Sequence, residues 1–146
     1  MSAPVSVILA RKGAGCETIE PDATMADLAR RLSELGIGAL VVSEDGQTVD
    51  GIVSERDLVH ALARAEGAAL SETVASVMTR PVTTCTPATS TDEVMAIMTE
   101  RRIRHVPVVE GDRLVGIVSI GDAVKWRIDE LQEDAQRLED YVKGGY

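Results

Sequence analysis

The chain has 146 residues and a formal net charge of -9, from 24 acidic and 15 basic side chains. This length suits one ordinary domain or two very small units, and with 45% apolar but only 2% aromatic residues any core must be aliphatic. An acidic chain that lacks aromatic stacking platforms is a poor candidate for nucleic-acid binding. No apolar run is long enough to span a membrane.

A sequence repeat organises the chain. The segment G-I-V-S-E-R-D at residues 51–57 returns as G-I-V-S-I-G-D at residues 116–122. Residues 36–42 return, at nearly the same offset, as residues 102–108. One such unit would be only marginally stable alone, so we expect two copies that pack face to face.

Both copies predict the same order of elements, strand-helix-strand-strand-helix, and hence an α+β fold of two β-α-β-β-α units related by pseudo-two-fold symmetry. The first two strands are joined through a helix and should be parallel, whereas the next two form an antiparallel hairpin. The unit boundaries are set at residues 1–69, with an N-terminal lead-in helix, and 70–146, with an extended C-terminal helix. The predicted ranges are strand 16–19, helix 25–35, strand 39–42 and strand 49–53, and then strand 82–85, helix 92–102, strand 106–109 and strand 114–118.

Capping residues and apolar spacing support these helices. Thr24 and either Ser90 or Thr91 are suitable N-caps, and Gly36 suits the C-terminal end of the first helix. The apolar stripes recur at helical spacing and consist of Leu28, Leu32 and Leu35 in the first copy and Val94, Ile97 and Met98 in the second.

The C-terminal helix carries more apolar residues than one small domain needs to bury. They recur at alternating spacings of four and three, the pattern of a heptad: Val124, Ile128, Leu131, Ala135, Leu138 and Val142. This stripe packs either on the core of its own chain or on a second chain. We expect the second arrangement, which predicts a homodimer.

Each copy places a serine and an aspartate where a strand passes into a helix, Ser54 with Asp57 and Ser119 with Asp122. The free N–H groups and the dipole of a helix N-terminus suit an anion, and the aspartate can accept hydrogen bonds from a vicinal diol such as a ribose. The same S-x-x-D spacing is also that of a capping box, in which the aspartate bonds back to the cap. The residues alone leave both interpretations open.

Basic residues cluster at Arg101, Arg102, Arg104 and His105. Cations stabilise the C-terminal end of a helix, which accounts for the first two. Arg104 and His105 lie where the next strand begins, so their side chains can reach a phosphate. Upstream, residues 12–15 (K-G-A-G) could bring backbone close to a phosphate, although a plain linker is the simpler interpretation.

The cysteines do not indicate a metal site or a disulfide. Cys16 and Cys85 lie far apart without a C-x-x-C pair, and a zinc site would need both to converge with His60 and His105. With no secretory signal visible, we expect free thiols in a reducing cytoplasm. Neither a catalytic constellation nor a catalytic cofactor is indicated, so we expect no enzyme.

The repeated motifs resemble those of paired CBS domains (cystathionine β-synthase domains), the tandem known as a Bateman module. The resemblance covers about residues 5–126, and the I-L-x-x-K-G element at residues 8–13 is similar to that of stand-alone bacterial two-CBS proteins. It implies adenosine ligands (AMP, ADP, ATP, NAD(H) or S-adenosylmethionine) bound in clefts between the copies, with AMP expected first. It also implies disc-like homodimers and conformational signalling to a protein partner.

The resemblance also implies roles for individual residues. Asp57 and Asp122 match ribose-binding acids, and Arg104 and His105 match positions that reach phosphates. The complete candidate nucleotide-binding set is Lys12, Thr18, Ile19, Ile37, Gly38, Ala39, Leu40, Ser54, Arg56, Asp57, Thr84, Arg104, His105, Val106, Pro107, Ile117, Ser119 and Asp122.

The two copies differ at their candidate sites. Gly38 and Ala39 stand where the second copy has Arg104 and His105, and Gly121 stands where the first copy has Arg56. We therefore expect unequal clefts, with the stronger phosphate site formed by Asp122, Arg104 and His105. The alternative function is a ligand-free structural module whose role is dimerisation.

Overall fold

The computed structural model describes residues 2–13 and 15–144, and it has the predicted mixed α+β fold of two similar units. Ala14, in the glycine-containing segment, lies outside the described residues. In chain order the elements are α1 (Val5–Lys12), β1 (Thr18–Ile19), α2 (Met25–Leu35), β2 (Ala39–Val42), β3 (Gly51–Ser54), α3 (Glu55–Ala65), a 3-10 helix (Glu66–Ser71), α4 (Val74–Val77), α5 (Thr91–Arg101), β4 (His105–Glu110), β5 (Arg113–Ser119) and α6 (Ile120–Gly144).

The two hairpins have equivalent geometry. As predicted, β1 is parallel to β2, and the pairs β2–β3 and β4–β5 are antiparallel. The N–H of Glu55 donates to the carbonyl of Gly38 at 2.9 Å, and that of Ile120 donates to the carbonyl of Arg104 at 2.8 Å. In each copy, therefore, the start of the hairpin's first strand lies beside the start of the helix that follows its second strand.

The predicted strand at residues 82–85 is wrong, because only Cys85 pairs with β4, in an isolated parallel bridge to Val108. Cys85 donates to the carbonyl of Pro107, and Val109 donates to Cys85. In a parallel ladder the next bond toward the N-terminus would need an N–H from Pro107, which proline lacks. The first copy has Val41 at this position, and there β1 forms.

The helix caps follow the sequence signals closely. Thr24 accepts from the N–H of Asp27 in a complete capping box, and Gly36 ends α2 in the left-handed conformation at φ 64°. Ser90 caps α5, whereas Thr91 donates its hydroxyl to the carbonyl of Ala3 at 2.8 Å. Leu28 and Leu32 are buried, but Leu35, the last residue of the helix, is exposed, so the buried stripe of α2 ends at Leu32.

Each lead-in helix packs on the core of the other copy. Val5 and Ile8 of α1 belong to the cluster that contains Val94 and Met98, and Val74 of α4 belongs to the cluster built on α2 and the first hairpin. The aliphatic interior is therefore two cores tied together by exchanged helices. β2 is buried along its whole length, as expected for a strand covered on both faces.

The apolar stripe of α6 does not pack on the core of its own chain. Leu131 is 55% exposed and Leu138 is 66% exposed, and Ala123 is the buried residue at the start of the helix. Among the described residues, no helix is both long enough and apolar enough to cross a membrane.

The close approach of α4 to β3 gives a stability prediction. A Cβ at Gly51 would lie 2.5 Å from Sδ of Met78 and 3.2 Å from the carbonyl oxygen of Thr79. Because the backbone carbonyl cannot swing aside, Gly51→Ala should lower the free energy of unfolding by about 1–3 kcal/mol, measured by urea denaturation. Gly67→Ala, which meets open space, is the matched control and should be neutral or slightly stabilising. Equal stability of the two variants would contradict this packing.

Candidate functional site

A cleft of about 190 Å³ lies where the two copies meet. Its lining combines the start of β2 and the β3–α3 junction with the segment that leads into β4. The lining residues are Gly38, Ala39, Ile52, Ser54, Glu55, Arg56, Asp57, Thr79, Arg102, Ile103, Arg104 and His105. We call this the first cleft.

Asp57 is the fixed acceptor of the first cleft. Its Oδ2 accepts from the backbone N–H of Ser54 at 2.8 Å and from the Ser54 hydroxyl at 3.1 Å. The capping box, one of the two interpretations of the S-x-x-D spacing, is therefore present. Within the described part of the chain Oδ1 of Asp57 has no hydrogen-bond partner among protein atoms, so capping leaves one carboxylate oxygen available to a ligand.

His105 lies against Gly38, at the contact between the copies. A Cβ at Gly38 would be 3.4 Å from Cε1 of His105 and 3.1 Å from Oε1 of Glu55, so a larger residue would crowd both side chains. Burial lowers the pKa of His105, while the carboxylates of Glu55 and Asp122 oppose that effect. The imidazole is therefore mainly neutral at neutral pH, and its pKa depends on carboxylates from both copies.

The arginines of the second copy line the same cleft as Asp57. Arg102, in a left-handed conformation at φ 55°, and Arg104 lie opposite Arg56 of the first copy. The first cleft brings Arg104 and His105 together with Asp57, whereas the carboxylate of Asp122 also lies close enough to His105 to raise its pKa. The expected grouping of Arg104 and His105 with Asp122 therefore stays a prediction. Which cleft binds a phosphate more tightly stays a prediction.

Asp122 occupies the equivalent position in the second copy and has a different environment. Its Oδ2 accepts from the N–H of Ser119 at 2.9 Å and from Nζ of Lys12 at 2.7 Å. The same ammonium donates to the carbonyl of Ile117 at 2.8 Å. Burial favours a higher pKa for Asp122, but the hydrogen bonds from Lys12 and Ser119 outweigh it and lower the pKa below its usual value. We call this group of residues the second cleft because of its place in the repeat, and not because of a cavity in the structure.

The remaining predicted residues divide by burial. Leu40, Val106 and Pro107 are buried in the strands, so only their backbone could meet a ligand. Ile37 and Thr84 are exposed. A separate surface depression, beside Asp27 and Arg31, is lined by Thr18 and Ile19.

Sequence reasoning missed five residues of the first cleft, namely Ile52, Glu55, Thr79, Arg102 and Ile103. Glu55 could have been found from its position directly after Ser54, at the start of the helix. Thr79 could not, because it reaches the cleft through backbone bonds to Ile52 in both directions, at 2.9 and 3.1 Å. That pairing exists only because α4 crosses to the other copy.

The two thiols are separate. Cys16 is half-buried and Cys85 is buried, and burial raises the pKa of both, that of Cys85 to about 11 with a contribution from Glu93. Within residues 2–13 and 15–144, no three side chains of His, Cys, Asp or Glu gather as metal ligands would.

This burial predicts slow alkylation of Cys85. In a Cys16→Ser variant, iodoacetamide at pH 8 should modify the remaining thiol roughly a hundredfold more slowly in the native protein than in urea, because the raised pKa suppresses the thiolate. Mass spectrometry follows the reaction. Similar rates in the two states would contradict the buried position of Cys85.

Two similar units, a cleft at their contact and a paired S-x-x-D junction define a tandem-repeat module. A family model for the CBS domain matches residues 13–64 and 74–129. The chain belongs to the CBS-domain family and contains two CBS domains in tandem.

Similar proteins and structures support this assignment. The mitochondrial CBS domain-containing protein CBSX3 of Arabidopsis thaliana is 37% identical over 129 residues, which cover 86% of this chain and 63% of that protein. The crystal structure of the CBS-domain containing protein ATU1752 from Agrobacterium tumefaciens has a TM-score of 0.82 at 46% identity, covering 87% of this chain and 95% of that one. The chain thus spans less than two thirds of the plant relative, and it matches 33% of a protein from Thermofilum pendens.

Two structures similar to this chain contain adenosine compounds. The CBS domain pair of protein MJ0100, in complex with 5'-methylthioadenosine and S-adenosyl-L-methionine, is 25% identical with a TM-score of 0.75 and covers 89% of this chain and 99% of that one. CBSX2 in complex with AMP is 22% identical with a TM-score of 0.73, covering 86% of this chain and 96% of that one, and shares the fold.

Proposed function

We propose that this protein is a non-enzymatic regulatory module that binds an adenine nucleotide between its two CBS units and transmits a conformational signal to a protein partner. AMP is the proposed ligand, with ATP, ADP, NAD(H) and S-adenosylmethionine as alternatives. The observation that carries the proposal is the carboxylate of Asp57, which is fixed by Ser54 through one oxygen and faces a cleft rimmed by arginines.

The geometry suits a ribose. A carboxylate oxygen accepts hydrogen bonds from a vicinal diol, and Asp57 is held in place before any ligand arrives. Its position in the first turn of α3 adds the positive end of the helix dipole. Both features favour a sugar joined to an anionic group over an apolar ligand.

The charges suit a phosphate. In a chain of net charge -9, Arg56, Arg102 and Arg104 lie together on the first cleft. Pockets that enclose small ligands usually have about 300–1,000 Å³, so a cleft of about 190 Å³ would hold only part of a nucleotide and leave its phosphates at the rim. Guanidinium groups bind phosphate oxygens there in bidentate geometry.

The ligands of related structures support the same class. MJ0100 and CBSX2 are in complex with adenosine compounds that differ in what is attached to the ribose. We therefore propose adenosine recognition as the shared feature, with the attached group selected by the residues particular to this chain. The cytoplasmic location stays a prediction.

The Asp57→Ala variant separates ligand binding from capping. It should weaken AMP binding by roughly ten- to a hundredfold in titration calorimetry, because a charge-assisted bond to the ribose is lost. Asp27→Ala is the matched control, since Asp27 occupies the same capping-box position in α2. Both variants should lose about 1 kcal/mol of unfolding free energy. Equal AMP affinities in the two variants would contradict the proposal.

The alternative function, dimerisation, is favoured by α6. Its exposed stripe includes Ile128 at 49% and Val142 at 64% exposure. In an antiparallel pair of these helices, the heptad positions place Lys125 beside Glu139 of a second copy, whereas a parallel pair would place Asp134 beside Glu139 of the second copy. Opposite charges therefore favour antiparallel pairing of two chains.

A charge placed in this stripe tests the dimer. Leu138→Lys should weaken self-association at least about tenfold, because a buried lysine in a helix pair lacks a partner. Gln136→Lys adds the same charge on another face of the helix and should leave association unchanged. Sedimentation equilibrium provides the measurement, and a wild-type protein that stays monomeric would contradict this alternative.

A further inference from the structure

His105 lies where the two copies meet. It is the first residue of β4, is half-buried and lines the first cleft. From the first copy, Gly38 and Glu55 face it, because a Cβ at Gly38 would be 3.4 Å from Cε1 of His105 and 3.1 Å from Oε1 of Glu55. The imidazole and this carboxylate therefore share the space that a side chain at position 38 would occupy.

On the side of its own copy, His105 is next to the start of α6. Its partner in the β4–β5 ladder is Ser119, whose hydroxyl accepts from the N–H of Asp122 at 3.1 Å. Asp122 is paired with Lys12 at 2.7 Å. The two members of this ion pair act on the pKa of His105 in opposite directions, so together they stabilise an imidazolium only weakly.

The surroundings of His105 disfavour its protonated form. Burial lowers its pKa most strongly, and the cations of Lys12 and Arg104 act in the same direction. The carboxylates of Glu55 and Asp122 oppose them. Three further charged residues line the first cleft, namely Arg56, Asp57 and Arg102. These seven residues comprise four cations and three carboxylates, so an imidazolium among them would lack a net negative charge to balance it.

We propose that His105 takes up a proton from the solvent when an anionic adenosine ligand binds in the first cleft, so that the affinity for the anion depends on pH. This inference rests on the proposed function, because it assumes that the first cleft binds an adenine nucleotide. A phosphate held by Arg56, Arg102 and Arg104 would supply the missing negative charge beside the imidazole and stabilise its protonated form.

Protonation also changes what the ring can donate. An imidazolium has two N–H donors, whereas a neutral imidazole has one, so the added proton provides a further charge-assisted hydrogen bond to a phosphate oxygen. An uncharged nucleoside provides neither the charge nor the acceptor. His105 therefore favours anionic over uncharged ligands, and more strongly at lower pH.

Proton NMR tests this in the wild-type chain. The chain has two histidines and hence two Cε1–H resonances, which the His60→Gln variant assigns. With saturating AMP, the resonance of His105 should titrate at least about one pH unit higher than without ligand, as a nearby opposite charge implies. With saturating adenosine it should titrate as in the free protein. His60, which is exposed on α3, should titrate alike in all three samples.

Titration calorimetry provides the matched comparison. Because a ligand that raises the pKa of His105 binds more tightly as the pH falls, the AMP affinity of the wild type should rise about three- to tenfold relative to that of His105→Gln between pH 8 and pH 6. Comparison at each pH removes the titration of AMP itself, whose second pKa is about 6. His60→Gln removes the other histidine and should keep the pH dependence of the wild type.

A protein that binds AMP without any change in the titration of His105 would overturn the inference and leave the proposed function intact. An equal upward shift with adenosine would also overturn it, since the shift would then arise without a phosphate. The same holds if His105→Gln keeps the full pH dependence of the wild type. A wild type that binds no AMP would overturn both proposals. The NMR measurement does not depend on the folding of His105→Gln.

Discussion

The exchange of lead-in helices between the two units is the constraint on which the rest of the structure depends. Val5 and Ile8 of α1 complete the core of the second copy. Val74 of α4 completes the core of the first copy. Small units of this kind bury a limited fraction of their surface and are only marginally stable alone. Because each unit is completed by a segment from the other copy, the two clefts form only when both units are folded together.

The same exchange makes the clefts chemically different. It brings the backbone of Thr79 to the first cleft and the side chain of Lys12 to the second. The hairpins and their helix starts are nearly identical, so asymmetry arises from what the crossing segments carry. In an acidic chain, this local placement of cations sets the electrostatic potential at each site more directly than the net charge does.

Sequence reasoning predicts repeated, local features well and crossing contacts poorly. The range of α2, its caps, the strand directions and both capping boxes depend on neighbouring residues, and the pattern reveals them. The strand before Cys85 is missing because a proline in the neighbouring strand has no N–H to donate. Arg104 lies beside Asp57 because of the way in which the two units pack together. Neither of these contacts can be predicted from residues that are neighbours in the sequence. The exposure of Leu35 at the end of α2 likewise depends on packing that helical spacing does not reveal.

Because α6 is long, a small movement near Asp122 produces a larger displacement at the far end of the helix. The helix has 25 residues, so at about 1.5 Å per residue it extends about 37 Å. Asp122 lies in its first turn, and the first N–H of the helix is bonded to Arg104. A rotation of about 5° at this base would move the far end by roughly 3 Å. A change in a hydrogen bond at Asp122 would therefore be amplified along α6, with the largest displacement at the exposed end of the helix.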